Sequence, residues 1–203
     1  MESKAETVEN RILNRISRAK KGTIFTASDF LDIGSRQAID VALHRLTRRK
    51  ALRRVTRGLY ERPQKHAELG TLSPNIANVA RALAGKGQLR LLPSGAYATN
   101  LLGLSEQVPA KAVFLTDGPS RTLKIGRQEI HLRHTTPRNL AAAERLTGLL
   151  VQAFRHLGRE HITAKRIAHL KRTLPANERR RLLKDLPLAP SWMHSLFRDL
   201  AES

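Results

Sequence analysis

Arg36, Gln37, His44 and Arg48 are side chains that can read or grip nucleic acid, and they fall within thirteen residues. An arginine fork matches the O6/N7 edge of guanine, and a glutamine amide matches the N6/N7 edge of adenine. Arg36 and Gln37 are therefore the candidate base readers. The charge then becomes dense: Arg45, Arg48, Arg49, Lys50, Arg53, Arg54 and Arg57 follow with no acid among them. Such a cluster is suited to phosphates, which position a protein on a duplex without reading its sequence. A basic run alone is more often a solvated helix face. This one lies at the end of an amphipathic helix and on an expected hairpin, which turns the reading towards nucleic acid.

The elements that must hold these residues are legible. Ser35 is a plausible N-cap for a helix running to about Lys50. Ile39, Ala42, Leu43 and Leu46 form its buried stripe, which leaves Gln37, Asp40, His44 and Arg48 on the opposite face. Ser28–Leu31 reads as a short preceding helix and Asp32-Ile33-Gly34 as the turn, with Gly34 free to take positive φ. A first helix over Glu6–Lys20, capped by Thr7, repeats Val8, Ile12 and Ile16 every four residues with Leu13 beside them. It ends at Lys20-Lys21-Gly22, and Phe25, Phe30 and Leu31 are expected to fill the core. Leu52–Thr56 and Leu59–Arg62 read as strands around Arg57-Gly58. Residues 1–63 thus read as a winged helix-turn-helix domain, whose outer helix face lies in the major groove in proteins of that class. Its expected DNA-binding residues are Ser35, Arg36, Gln37, His44, Arg45, Arg48, Arg49, Arg53, Arg54 and Arg57.

Residues 64–72 read as a linker and residues 73–203 as a second, α+β domain with a small sheet and a helical C-terminal part. Ser73-Pro74 is the expected start of a helix through Ile76, Val79, Ala80 and Leu83. A strand over Leu89–Leu92 and a turn at Pro93-Ser94-Gly95 precede a helix over Ala96–Leu102. Ala112–Thr116 is an expected buried strand, and Thr122–Ile125 and Glu129–His134 a hairpin around Gly126-Arg127-Gln128. The remainder is helical: Leu140–Leu157, a helix from Thr163 with Ile167 and Leu170, and a last apolar face of Trp192, Leu196, Phe197 and Leu200. Trp192 reads as a core anchor, with docking of a protein partner as the alternative. Lys165, Arg166, Lys171, Arg172, Arg179, Arg180, Arg181 and Lys184 form a C-terminal basic tract, read as a solvated face or a second polyanion contact.

Composition narrows the classes. The chain has 203 residues, a net charge of +20 and no cysteine, so disulfides and cysteine-based zinc sites are excluded. Its start is polar and mixed in charge, unlike a signal peptide, and no apolar run approaches membrane-spanning length. A cytoplasmic, nucleoid-associated protein without a cofactor is the expectation. Ser94 lacks the Gly-x-Ser-x-Gly setting of an activated nucleophile. Asp117 and Glu129 would be the carboxylates of a metal-dependent nucleic-acid-processing enzyme, but no full constellation accompanies them and no enzyme is expected. His131 and His134 fall on opposite faces of a strand, and His161 and His169 have no clustered acid, so no metal site is expected.

The Arg36–Pro63 segment, followed by LSPNIANVARALA and LLPSGAYATNLLGLSEQVPAKAVFLTDG, resembles the AbiEi-type antitoxins of bacterial type IV toxin–antitoxin systems used in phage defence. The closest likeness is to a short AbiEi-like branch. The resemblance implies a winged helix that binds inverted repeats of its own operator, cooperatively or as a dimer, and represses the operon. It also implies a C-terminal domain that opposes a cognate AbiEii-like nucleotidyltransferase toxin. No neutralising residue can be carried over, and the chain is shorter than many such antitoxins. The alternative is a stand-alone winged-helix regulator or nucleoid-associated protein.

Overall fold

Thr7 caps the first helix by accepting a hydrogen bond from the Asn10 amide, and α1 runs Val8–Arg18 with Ile12 and Ile16 buried. A computed structural model describes residues 6–202. After β1 (Ile24–Phe25), residues Ala27–Phe30 form one 3₁₀ turn, and α2 spans Arg36–Arg48. Ser35 caps α2 through the Ala38 amide, and Ile39, Ala42, Leu43 and Leu46 are its buried stripe. Phe25 and Phe30 stack at 5.7 Å inside this core. Leu31 does not join it, being 53% exposed where the 3₁₀ turn ends and the chain swings outward.

Gly34 differs from expectation in kind. It does not take positive φ. A Cβ there would instead lie 3.3 Å from a Val8 methyl, so the residue is small to let α1 approach. Two arginines of α1 hold the turn from above. Arg11 donates to the Ile33 carbonyl at 3.0 Å, and Arg15 donates to the Asp29 carbonyl and to both Asp32 oxygens.

The hairpin follows as β2 (Arg53–Thr56) and β3 (Leu59–Glu61), turning at Arg57-Gly58 with Gly58 at φ +74°. β3 is central in a three-stranded sheet ordered β1-β3-β2, both pairs antiparallel. Residues 64–72 are not a bare linker. They fold back as β4 (Lys65–His66) and β5 (Gly70–Thr71), a two-stranded ribbon. Next comes α3 (Ile76–Gly87), started by Asn75, which caps the Asn78 amide, rather than by Ser73-Pro74.

The chain divides after Gly87 rather than within 64–72. One compact unit comprises 1–87 with 123–127, the other 88–122 with 128–203. The reason is local bonding: the Asn78 side-chain Nδ2 donates to the Gly22 carbonyl at 2.8 Å and Lys86 to the Arg57 carbonyl at 3.3 Å, tying α3 to the helices and hairpin before it.

In the second unit Pro93 and Ser94 are strand residues, not a turn. β6 (Leu91–Ser94) pairs antiparallel with β7 (Lys111–Thr116) from Leu91 opposite Thr116 to Ser94 opposite Val113. Proline is tolerated because β6 is an edge strand, in a sheet ordered β6-β7-β9-β8 with β8 at Arg121–Ile125 and β9 at Gln128–His134. β7 and β9 are parallel, which the sequence did not announce. Gly95, at φ +61°, starts α4 (Gly95–Leu101). The expected Leu140–Leu157 helix is broken into a 3₁₀ turn at Pro137–Leu140 and α5 (Leu146–Leu157). At Gly148 any Cβ would overlap the Ala142 carbonyl oxygen, so glycine there lets α5 seat on the preceding turn. α6 (Ala164–Thr173), α7 (Ala176–Arg181) and α8 (His194–Ala201) complete a core around Leu150, Phe154, Leu170 and Phe197, with half-buried Trp192 packed against it. The fold class is α+β with small sheets. No helix among the described residues is long and apolar enough to cross a membrane.

The Arg15–Asp32 clamp generates a pH prediction. Arg15's hydrogen bonds hold the Asp32 carboxyl down at about 2, against an ordinary 3.8. A depressed carboxyl contributes stability above its unfolded pKa and loses it as pH falls through the folded value. Thermal unfolding of wild type and Asp32→Asn is expected to differ modestly at neutral pH, because the pair is exposed. The difference should shrink between pH 4 and pH 2, and a constant offset across that range would refute the clamp.

Candidate nucleic-acid interface

The outward face of α2 carries Gln37, Asp40, Val41, His44, Arg45 and Arg48, all exposed. The helix presents them because its apolar stripe is fully consumed by the core beneath. Arg45 and Arg48 lie in the last turn, beside the negative end of the helix dipole. Lys50 then adopts φ +60°, a left-handed residue that ends the helix where glycine is more usual, and the chain reverses into β2.

The expected site residues separate by what they already bind. Among the described residues, Gln37, His44, Arg45, Arg48, Arg54 and Arg57 have no ion-pair or side-chain hydrogen-bond partner. Ser35 is spent on the helix cap. Arg36 donates to Asp40 at 3.0 Å one turn along, in an open pair it can leave. Arg49 is paired with Glu9 of α1. Arg53 is the most committed: its Nε and Nη2 donate to Glu61, and Nη2 also donates to the Leu72 carbonyl at 2.8 Å. Glu61 is 2% exposed, so this is a buried structural pair and not a free phosphate contact.

Two features escaped the sequence reading. Val41 is 45% exposed between Gln37 and Arg45, an apolar spot suited to a thymine methyl. Exposed valine on an otherwise polar face was the available signal. The second is Arg53's role, set by a slip of one residue in the β2–β3 register that local sequence does not signal.

The other candidates are dispersed. Asp117 accepts from the Arg90 amide and guanidinium, both at 2.9 Å, which holds its carboxyl below the usual range. Glu129 sits beside Lys111 at the start of β7, whereas Asp117 follows its end. Six strand residues separate them, about 20 Å. The two do not share a site. His131 bonds Glu129 at 2.8 Å, His134 the Gly118 carbonyl, His161 Glu160 and His169 the Leu102 carbonyl. The described residues contain no cluster of three metal-ligating side chains. The C-terminal basic tract is also divided. Lys171 pairs with Asp199, Arg181 with Glu178, Arg166 with the His161 carbonyl, and Arg179 with the carbonyls of Leu200 and Glu202. Lys165, Arg172, Arg180 and Lys184 remain exposed and unpaired among the described residues.

A family of unknown function, DUF6088, matches residues 11–182, and the chain belongs to that family. No curated protein matches it. Among solved structures, the RV2827C protein from Mycobacterium tuberculosis is similar at 16% identity, with 95% of this chain and 81% of that chain covered and a TM-score of 0.47.

Arg53 and Arg54 should behave oppositely under substitution. Arg53→Ala strands a buried carboxylate and is expected to cost about 3–5 kcal/mol. Arg54→Ala, on the exposed side, should change stability by less than about 0.5 kcal/mol. Urea denaturation of the two variants checks this, and equal effects would contradict the buried-pair assignment.

Proposed function

We propose that the first unit is a winged helix that binds double-stranded DNA, with α2 as its recognition helix and the β2–β3 hairpin as its wing. The observation that carries this reading is a set of free side chains close in sequence: unpartnered Gln37, His44, Arg45 and Arg48 on α2, followed by unpartnered Arg54 and Arg57 on the hairpin. Gln37 and Val41 supply base-edge contacts, with Arg36 joining them when it leaves Asp40. Arg45, Arg48, Arg54 and Arg57 take phosphates. Arg53 serves this set indirectly by fixing the hairpin.

Together with the resemblance to AbiEi-type antitoxins, this supports a bacterial DNA-binding antitoxin that represses its own operon at inverted repeats. It would counteract a cognate nucleotidyltransferase toxin and have no catalytic role of its own.

Binding to the upstream DNA of its own gene, against a shuffled duplex across a salt series, tests the first part. Gln37→Ala is expected to cost about 1–3 kcal/mol on the operator and little on the shuffled duplex. Arg54→Ala and Arg57→Ala should weaken both duplexes alike, each lowering the slope of log affinity against log salt by about 0.9. Equal loss of specificity from both kinds of variant would refute the recognition-helix assignment. Indifference of the wild type to sequence would favour a nucleoid-associated protein. Rescue of cells expressing the neighbouring toxin tests the second part, and failure to rescue removes the antitoxin role while leaving the repressor.

Asp40→Ala gives a separate outcome. It removes the only acid from the face and releases Arg36, so binding to the operator should tighten, most at low salt. Weaker binding would mean that Asp40 itself contacts a base.

A further inference from the structure

The second unit contains a cleft of about 630 Å³, within the range of small-molecule sites. One wall is the face of the sheet, where Ser94 of β6, Val113 and Leu115 of β7 and Arg133 of β9 lie in register. The other is the last turns of α5, where Gln152, Arg155 and His156 share a helix face. Asn139, from the 3₁₀ turn before α5, lies alongside. The two walls come from one unit.

The lining is made of donors. It includes Arg133, Arg155 and His156 and no acidic residue. Neither arginine has an ion-pair partner among the described residues. High overall charge does not explain this, because a neighbouring cavity of the same unit interleaves Arg145, Arg181 and Lys184 with Glu144, Glu178 and Asp185. The neutral groups add to the pattern. Ser94 and Gln152 are 6% and 7% exposed, and the Ser94 hydroxyl donates to the Gln152 carbonyl oxygen at 2.9 Å. That leaves the Gln152 amide N–H groups without a partner among the described residues. Asn139 donates to Thr135 Oγ1 at 2.8 Å, so the Thr135 hydroxyl proton is free to be donated. Guanidinium, amide N–H and hydroxyl groups converging without an acid match a ligand that only accepts.

A second cavity of about 360 Å³ shares Asn139, Gln152 and Arg155 with the first, adds Arg138, and continues past Leu92, Val151 and Leu188. The cleft thus continues into a cavity of mixed lining that adds an arginine and, again, no acidic residue.

We propose that this cleft binds the phosphate monoester of a nucleotide, free or at the end of a nucleic-acid strand, with the heterocycle or ribose in the adjoining cavity. The proposal stands independently of DNA binding by the first unit.

Calorimetric titration of the full chain with inorganic phosphate, nucleoside monophosphates and the matching nucleosides tests it. A further pair of probes is a short oligonucleotide with a 5′-phosphate and its 5′-hydroxyl counterpart. The monophosphates are expected to bind at least tenfold tighter than the nucleosides, or the phosphorylated strand tenfold tighter than the hydroxyl strand. The first result assigns a free nucleotide and the second a strand end, and either supports the site. Arg155→Gln and Arg133→Gln, exposed changes that leave the core intact, should each reduce that binding at least tenfold. Arg172→Gln, on an exposed helix outside the cleft, should not. Absence of any phosphate-dependent binding at millimolar concentration overturns the proposal. So does binding that is the same in wild type and both cleft variants.

Discussion

The first unit depends on one buried carboxylate. Glu61 lies on the central strand of its sheet, opposite Ile24 of β1 and Arg53 of β2, and is almost wholly excluded from water. Alone there it would cost several kcal/mol, and its only ion-pair partner among the described residues is Arg53. The same guanidinium reaches the Leu72 carbonyl. One ion pair therefore fixes the position of β2 against β3 and the return of the following ribbon. It also settles which arginines are available. Successive strand residues face opposite sides, so holding Arg53 inward turns Arg54 outward.

The charge of +20 overstates how much cation is free. Arg11 and Arg15 hold the turn before α2, Arg49 holds Glu9, Arg90 holds Asp117, and Arg179 ties down the last carbonyls of α8. Arg145 and Thr147 both donate to buried Asp185, anchoring the chain beyond α7 to the start of α5. What decides a polyanion surface is the subset left without partners. In the first unit that subset includes Arg45, Arg48, Arg54 and Arg57, close together in sequence on α2 and the hairpin, besides Arg18, Lys20, Lys21, Arg62 and Lys65 outside them.

The same distinction explains what the sequence disclosed. α2, its cap at Ser35, its buried stripe and the two hairpin strands were legible, because each rests on local periodicity or a single capping side chain. The role of Arg53 was not. A two-residue turn at Arg57-Gly58 pairs Thr56 with Leu59, and an unbroken ladder would place Arg54 opposite Glu61. The register slips between Arg54 and Thr56, which brings Arg53 to Glu61 instead. A bulge of one residue exchanges a structural arginine for an exposed one, and no composition or spacing rule signals it. Gly34 shows the same limit. Its presence in the turn was informative, but whether φ or the approach of Val8 demanded it was a tertiary matter. Pro93 misled for a related reason: proline reads as a turn unless the strand is known to be an edge.

The cleft was the least legible part, since Ser94, Arg133, Asn139 and Gln152 come from four elements and meet only because β7 and β9 run parallel. Its physics also differs from that of the α2–hairpin surface. Long exposed arginines remain hydrated, adapt to variable phosphate spacing and are screened within about 8–10 Å at ordinary salt. In the cleft, two neutral side chains are already desolvated and locked to each other, and the flanking cations converge on a limited volume. A donor withdrawn from water in this way gains more from a fitting acceptor than an exposed one does, and loses more from a misfit. The first arrangement suits a polymer met at many positions, whereas the second suits one phosphate held in one geometry.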